Sequence, residues 1–289
     1  MPTRKPRKPE TFESLLVEMY GEAACSGEGL FFIQGMWRSG TSWLGRMVGA
    51  HPKVYVCQHE LQSFSRFFEV KPSEQLPFFQ PKYEACLKSG CLSMLMHLHA
   101  KEKPEAPLVG DRSPGGDAKL IKRLFPRAKL PIILRDGRDV CVSVAHLDWT
   151  SPAALVESDC KVTVERSYVR KMAQIYAASV DDYLAVKAAH PADVLILRYE
   201  ELLRDPAAVM GDVFRFLGAD APPALVAGIC REHSFQQETG RPSGNPDPGA
   251  FARKGIVGDW RNHLSGEGVA AFEEVAGGSL RRAGYELHS

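Results

Sequence analysis

Short apolar runs of strand length alternate along this chain with stretches whose apolar residues return every three or four positions. That alternation is the pattern of a parallel β-sheet covered by helices on both faces. The runs are Leu30–Gln34, Val54–Val56, Leu108–Gly110, Pro131–Leu134 and Val194–Leu197, each bounded by Gly, Pro or charged residues and each read as a buried strand. Between them, Tyr83, Leu87, Met94, Leu95 and Leu98 keep one helical face, as do Tyr168, Met172, Ile175, Tyr176, Ser179 and Tyr183. Asp205 and Pro206 supply an N-cap and a first-turn proline for a helix that runs through Phe216 and is closed by Gly218. The expected fold class is therefore α/β, three-layered, with a central, mainly parallel sheet. Gly240–Gly249, rich in Gly and Pro and poor in apolar residues, reads as a mobile loop leading into Phe251–Ser265, where a lid would fit.

Length and composition narrow the function without naming it. With 289 residues, 44% of them hydrophobic, the chain suits one generous domain, residues 29–289, preceded by an N-terminal arm and lead-in over 1–28. A net charge of +1, from 36 basic and 35 acidic residues, gives no global reason to expect a nucleic-acid polymer or an anionic membrane as partner, so any basic site is local. No apolar run reaches membrane-spanning length, and the basic stretch Met1–Pro9 reads as a solvated arm, so a soluble protein without membrane insertion is expected. Seven scattered cysteines suit reduced thiols in a cytoplasmic compartment, and the absence of CxxC and HExxH pairs argues against a metal site.

The chemistry concentrates in three segments. In the first, Leu30–Gln34 runs into Gly35-Met-Trp-Arg-Ser-Gly40-Thr-Ser and then a helical pattern, the strand, loop and helix context of a phosphate site. Its glycines permit tight turning, and free amides at Thr41–Trp43 with the helix dipole form a concave anion site. The position after Gly40 holds Thr41, not the lysine of the nucleoside-triphosphatase loop, and the loop's only cation is Arg38, which weakens a Mg-dependent reading. An ordinary small-residue turn would look similar locally; the other two segments decide against it. In Pro131–Ser143 a second strand ends at Arg135, and ligands of open α/β sheets bind beyond such ends, so Arg135 and Ser143, two helical turns on, can share a second phosphate. Standing alone, Arg135, Asp136, Arg138 and Asp139 would read as a surface salt-bridge cluster. The third segment, Arg253-Lys254-Gly255-Ile-Val-Gly258-Asp259-Trp260, sets two cations against a flexible glycine, again suited to clamping a phosphate.

In this order the three segments resemble the PAPS-dependent sulfotransferases, whose donor is 3′-phosphoadenosine-5′-phosphosulfate (PAPS) and whose product is the desulfated nucleotide PAP. The resemblance runs from about Leu30 to Tyr285. It implies a P-loop-like 5′-phosphosulfate loop at Arg38, Ser39, Gly40, Thr41, Ser42 and Trp43, a 3′-phosphate element at Arg135 and Ser143, and a closing signature at Arg253, Lys254 and Gly255 through Trp260. It further implies that Trp43 stacks on the adenine, with Tyr199 and Phe235 near the base, and that no metal takes part. Arg38 resembles the Golgi carbohydrate and tyrosine enzymes, where cytosolic members carry lysine; permanently charged, it can neutralise the leaving phosphate but cannot serve as an acid. The stretch Gly110–Pro114 lacks the histidine that serves cytosolic members as base. In the Golgi types a glutamate shortly after the second strand takes that role, and Glu60 stands at the matching place, with His59 as fallback. His97 and His99, in a helical pattern, are expected to be structural, and Arg112 to bind an acidic acceptor or pair with Asp111 or Asp117. Acceptor specificity would come from Gln58–Lys82, His146–Asp159 and the loop after Gly240. Phe64, Phe67, Phe68 and Trp149 there mix with Arg66, Asp148 and His146, which fits a small alcohol or phenol, a sugar or a carrier-bound hydroxyl. A P-loop small-molecule kinase and a catalytically silent PAP-binding protein are the rival readings. A homodimer is left open.

Overall fold

The computed structural model describes residues 11–57, 80–146, 155–158, 161–245 and 254–288. The strands are β1 (Leu30–Ile33), β2 (Val54–Cys57), β3 (Leu108–Arg112), β4 (Leu130–Leu134), β5 (Leu155–Ser158), β6 (Lys161–Val164) and β7 (Val194–Arg198). The helices are α1 (Phe12–Ser26), α2 (Thr41–Gly49), α3 (Gln80–Glu102), α4 (Ala118–Leu124), α5 (Gly137–Ala145), α6 (Arg166–Ala189), α7 (Tyr199–Arg204), α8 (Pro206–Leu217), α9 (Pro223–Glu232), α10 (Phe235–Thr239) and α11 (Gly266–Arg282), with a 3₁₀ turn at Asp259–Asn262.

β3 lies between β1 and β2, β4 pairs with β7, and parallel bridges Phe31 to Lys129 and Gln34 to Ile132 join the halves. The sheet order is thus β2-β3-β1-β4-β7, all parallel. Side chains alternate across it. Leu30 and Phe32 enter a core shared with α3, α4, α6 and α11, while Phe31 and Ile33 enter a second core formed with α2, α8 and α9. The three-layer α/β expectation therefore holds. Because α2 follows β1 on one face and α5 follows β4 on the other, the crevice beyond the ends of β1 and β4 is a topological switch point, where such sheets bind ligands.

All five anticipated strands form, and the differences are instructive. β2 and β3 run on to Cys57 and Arg112 because the parallel register, with Cys57 opposite Asp111, extends the ladder past the last apolar residue. In β7, Leu195 and Ile196 are only half-buried, since this strand lies at the end of the sheet order. The helix after Asp205 forms as anticipated: its carboxylate accepts from the amide of Ala208 at 3.1 Å, and Gly218 closes the helix at φ 85°. Several elements were not anticipated, among them the helices α4, α9 and α11 and two others. One is α1, whose Leu16 and Cys25 join the first core; the other is the antiparallel β5-β6 hairpin, whose first strand falls in the segment His146–Asp159 assigned to the acceptor. Among the described residues no helix is long and apolar enough to cross a membrane, and the described cysteines are free thiols.

Candidate active site

The loop between β1 and α2 is shaped by its backbone. Gly40, the N-cap of α2, has φ 98°, and a Cβ there would sit 2.8 Å from the ring of Tyr199, so both conformation and space demand glycine. With no side-chain cap on α2, its first amides remain available to an anion. Arg38 is the one described non-glycine residue at positive φ, 67°. Such a conformation costs roughly 1–2 kcal/mol in an L-residue. It carries the guanidinium towards α5, where Nε donates to Ser143 Oγ at 3.0 Å. Ser39 and Thr41 are buried beneath the loop, and Ser42 is half-buried on its rim.

Arg135, at the end of β4, ties the parts together. Its Nη1 donates to the carbonyl of Arg38 at 3.0 Å, its Nη2 to the carbonyl of Ile256 at 3.2 Å, and its guanidinium lies 4.4 Å over the ring of Tyr199, the first residue of α7. Burial pushes the Tyr199 phenol up, so the ring is a neutral surface for that cation. Trp43 meets Tyr199 edge-on at 6.1 Å, and its indole donates to the carbonyl of His233 at 2.6 Å. Two residues on, half-buried Phe235 opens α10 against Gly255, where a Cβ would come within 2.4 Å of the ring at φ 63°. Lys254 Nζ donates to Asp259 Oδ1 at 2.7 Å. The structure thus brings Arg38, Ser39, Gly40, Thr41, Ser42, Trp43, Arg135, Ser143, Tyr199, Phe235, Lys254 and Gly255 around one crevice. Glu60, Arg253 and His59 lie outside the described residues, as do Phe64, Arg66, Phe67, Phe68, Asp148 and Trp149.

Two points are settled by the packing. The cluster after β4 is not a surface network: Arg138 is 2% exposed, bonded to Asp136 and to Glu273, and Asp139 is equally buried. Arg112, expected to bind an acidic acceptor or pair with Asp111 or Asp117, reaches the phosphate loop. Its Nη1 donates to Ser42 Oγ at 2.6 Å, because successive residues of β3 face opposite sides of the sheet. Asp117 instead caps α4, accepting from Leu120 N at 2.8 Å. His97 and His99 lie on α3 as anticipated, His99 bonding the carbonyl of Ala106 at 2.9 Å.

Reading the sequence overlooked several neighbours. Arg46 on α2 forms a bidentate pair with Glu238 of α10, fastening the phosphate-loop helix to the Phe235 segment. Trp37, 47% exposed, stands beside Gly115, where a Cβ would sit 3.1 Å from the indole nitrogen; this lies on the β3 side of the loop, opposite Arg135 and Tyr199. Asp111 is buried on the other face of β3, with Oδ2 accepting from Ser113 Oγ at 2.6 Å and Oδ1 unpartnered. Desolvation, the larger effect, outweighs the Ser113 hydroxyl and raises its pKa from 3.8 to about 6. Burying this anion therefore costs stability above about pH 6, and the cost disappears as pH falls towards the unfolded value of 3.8. Accordingly, Asp111→Asn is expected to raise the melting temperature at pH 7.5, at about 2–4 °C per kcal/mol, with the gain shrinking between pH 6 and 4. A gain that is constant with pH, measured by calorimetry, would show that the ionised carboxylate is not the cause.

Comparison with known proteins closes the case for the family. The model of the sulfotransferase domain matches residues 29–284. A 3-beta-hydroxysteroid sulfotransferase of Cavia porcellus is 28% identical over 173 residues, 53% of this chain and 58% of that protein. Sulfotransferase 1E1 of Rattus norvegicus is 26% identical over 258 residues, 82% of this chain and 78% of that protein. Among solved structures, mouse sulfotransferase SULT7A1 complexed with PAP superposes with a TM-score of 0.55 at 17% identity, covering 87% of this chain and 83% of that one. Retinol dehydratase in complex with retinol and PAP gives 0.53 at 18% identity, covering 90% and 83%. With the family's model matched across nearly the whole sheet and crevice just described, the chain belongs to the sulfotransferase domain family.

Proposed function

We propose that this sulfotransferase moves the sulfuryl group of PAPS to the hydroxyl of a small-molecule acceptor. The observation that carries the reading is the double cationic grip at the switch point. Arg38 lies within the loop and Arg135 beside it, bonded to the loop's own carbonyl, with Tyr199, Trp43 and Phe235 forming an aromatic border. One anion at the first turn of α2 and a second near Arg135 and Ser143 suit a nucleotide phosphorylated at both 5′ and 3′ positions. The matched relatives that carry PAP lend the donor its identity.

In the reaction the acceptor oxygen forms a bond to sulfur as the bond from sulfur to the 5′-phosphate oxygen breaks, leaving PAP. The chain's contribution is positioning and charge stabilisation. Arg38 presents its fork of donors to the leaving phosphate, the α2 amides hold the same group, and Arg135 with Ser143 and Lys254 fixes the 3′ end. The carboxylate of Glu60 takes the proton of the acceptor hydroxyl. Arg112, bonded to Ser42 at the loop's rim, adds a second permanent cation on the side of the acceptor. A single domain over residues 29–289 and a cytoplasmic location accompany this reading.

Titrating the protein with PAP, PAPS and ATP while following thermal unfolding tests the donor. Ligands that bind the native state raise apparent stability by RT ln(1 + [L]/Kd), about 2.7 kcal/mol at one hundred times Kd. PAP and PAPS are expected to stabilise strongly, and ATP weakly with or without Mg²⁺. Equal stabilisation by ATP would overturn the reading in favour of a nucleoside-triphosphate enzyme. PAP binding without sulfation of any hydroxyl in an acceptor screen would leave a binding protein.

A further inference from the structure

We propose that Asp139 is a positioning residue for the donor site: its carboxylate latches the loop Lys254–Trp260 onto α5 and so places Lys254 and Gly255 against the nucleotide's 3′ end. This rests on the donor reading above and adds to it a residue outside the phosphate contacts. Asp139 lies in the first turn of α5, four residues after Arg135, and its side chain is 1% exposed. Its Oδ2 accepts from the amide of Gly258 at 2.7 Å and its Oδ1 from the amide of Trp260 at 2.9 Å. Arg135 grips the same loop from the other side of its backbone, Nη2 donating to the carbonyl of Ile256. The carbonyl of residue 256 is therefore held by a donor at the end of β4, and the amides of 258 and 260 by one carboxylate in the first turn of α5. Arg135 Nη2 also lies 4.0 Å from Asp139 Oδ2, so the carboxylate orients the guanidinium as well as the loop.

The rest of the loop is built around this latch. The Trp260 indole is flanked by the guanidinium groups of Arg138 and Arg261, each 4.3 Å from its ring. Asp259, buried beside it, receives Lys254 Nζ at 2.7 Å and Asn262 Nδ2 at 3.0 Å. Burial works against the Asp139 anion, whereas Arg135 and the two amides favour it. A buried carboxylate with two backbone amides is strongly committed to that geometry, since removing it leaves both donors unsatisfied. Without the latch, Lys254 and Gly255 would lose their fixed distance to Arg135, and the cost would fall on donor affinity.

Three readouts on the full-length protein test this: PAP affinity by calorimetry, backbone hydrogen exchange over residues 254–262, and melting temperature. Asp139→Ala is expected to weaken PAP binding at least tenfold and to accelerate exchange at Gly258 and Trp260. Asp139→Asn, which keeps the shape and one acceptor oxygen, should lie between it and the parent, and serves if the alanine variant fails to fold. Lys122→Met is the control, since it removes the buried Lys122 ammonium paired with half-exposed Asp193 (2.9 Å) at the opposite end of the sheet. It should lower the melting temperature while leaving PAP affinity within twofold. If Asp139 variants lose stability as Lys122→Met does but keep PAP affinity, the residue is merely structural and the proposal is overturned. Unchanged exchange at 258 and 260 overturns it too. Should the parent itself bind no PAP, the donor reading fails, and the exchange data alone decide whether the latch exists.

Discussion

Arg38→Ala is expected to lower turnover at saturating donor by about 10²–10³-fold, the usual cost of removing one preorganised donor from a developing negative charge. The affinity for PAP should fall much less, because the α2 amides and Arg135 still hold the nucleotide. The geometry explains why the residue is so committed. It occupies the one described non-glycine position at positive φ, its Nε is bonded to Ser143, and its carbonyl is bonded to Arg135. Arg38→Lys should recover only part of the loss, since a single ammonium cannot reproduce a fixed fork of donors. Ser143→Ala, which removes the hydroxyl but not the cation, should affect PAP binding more than turnover. Steady-state rates with PAPS varied, set beside calorimetric PAP binding, separate these cases. An alanine variant with parental turnover would place the leaving-group cation elsewhere.

The sheet was legible in the sequence because its signal is local: an apolar run such as Leu130–Leu134 needs only its own residues to announce a buried parallel strand. The same holds for the phosphate loop, where Gly40 and the missing lysine speak within a few positions. Long-range consequences were not legible. Whether Arg112 or Asp111 faces the phosphate loop depends on the register of β3 between β1 and β2, which no neighbouring residue encodes. Taken alone, the segment holding Arg138 and Asp139 fits surface charge equally well, because nothing local shows that Trp260, over a hundred positions later, returns to bury them. One clue was present: Asp139 stands only four residues after Arg135, close enough for the two side chains to meet at the start of α5. The β5-β6 hairpin escaped for a different reason, since its short strands lack the long apolar run that marked the others.

The acid–base chemistry follows from what the described side chains cannot do. The residue at the end of β3 nearest the loop is Arg112, a donor-only side chain bonded to Ser42. Asp111 could accept one, but it faces the opposite side of β3, with one oxygen taken by Ser113. Lys254 and Asp259 are bonded to each other, and Asp139 to the amides of the signature loop. These side chains are all committed to other partners, and Glu60, three positions beyond the end of β2, is the carboxylate to which the family resemblance assigns the role of base. Glu60→Gln is accordingly expected to reduce turnover by about 10²–10⁴-fold, the typical contribution of a positioned general base, with PAP affinity and melting temperature unchanged. The parental acid limb of the pH–rate profile should vanish with it, because glutamine has no proton to lose. Retained turnover with an intact acid limb would assign the proton to another group, and His59→Ala and Asp111→Asn would then tell which.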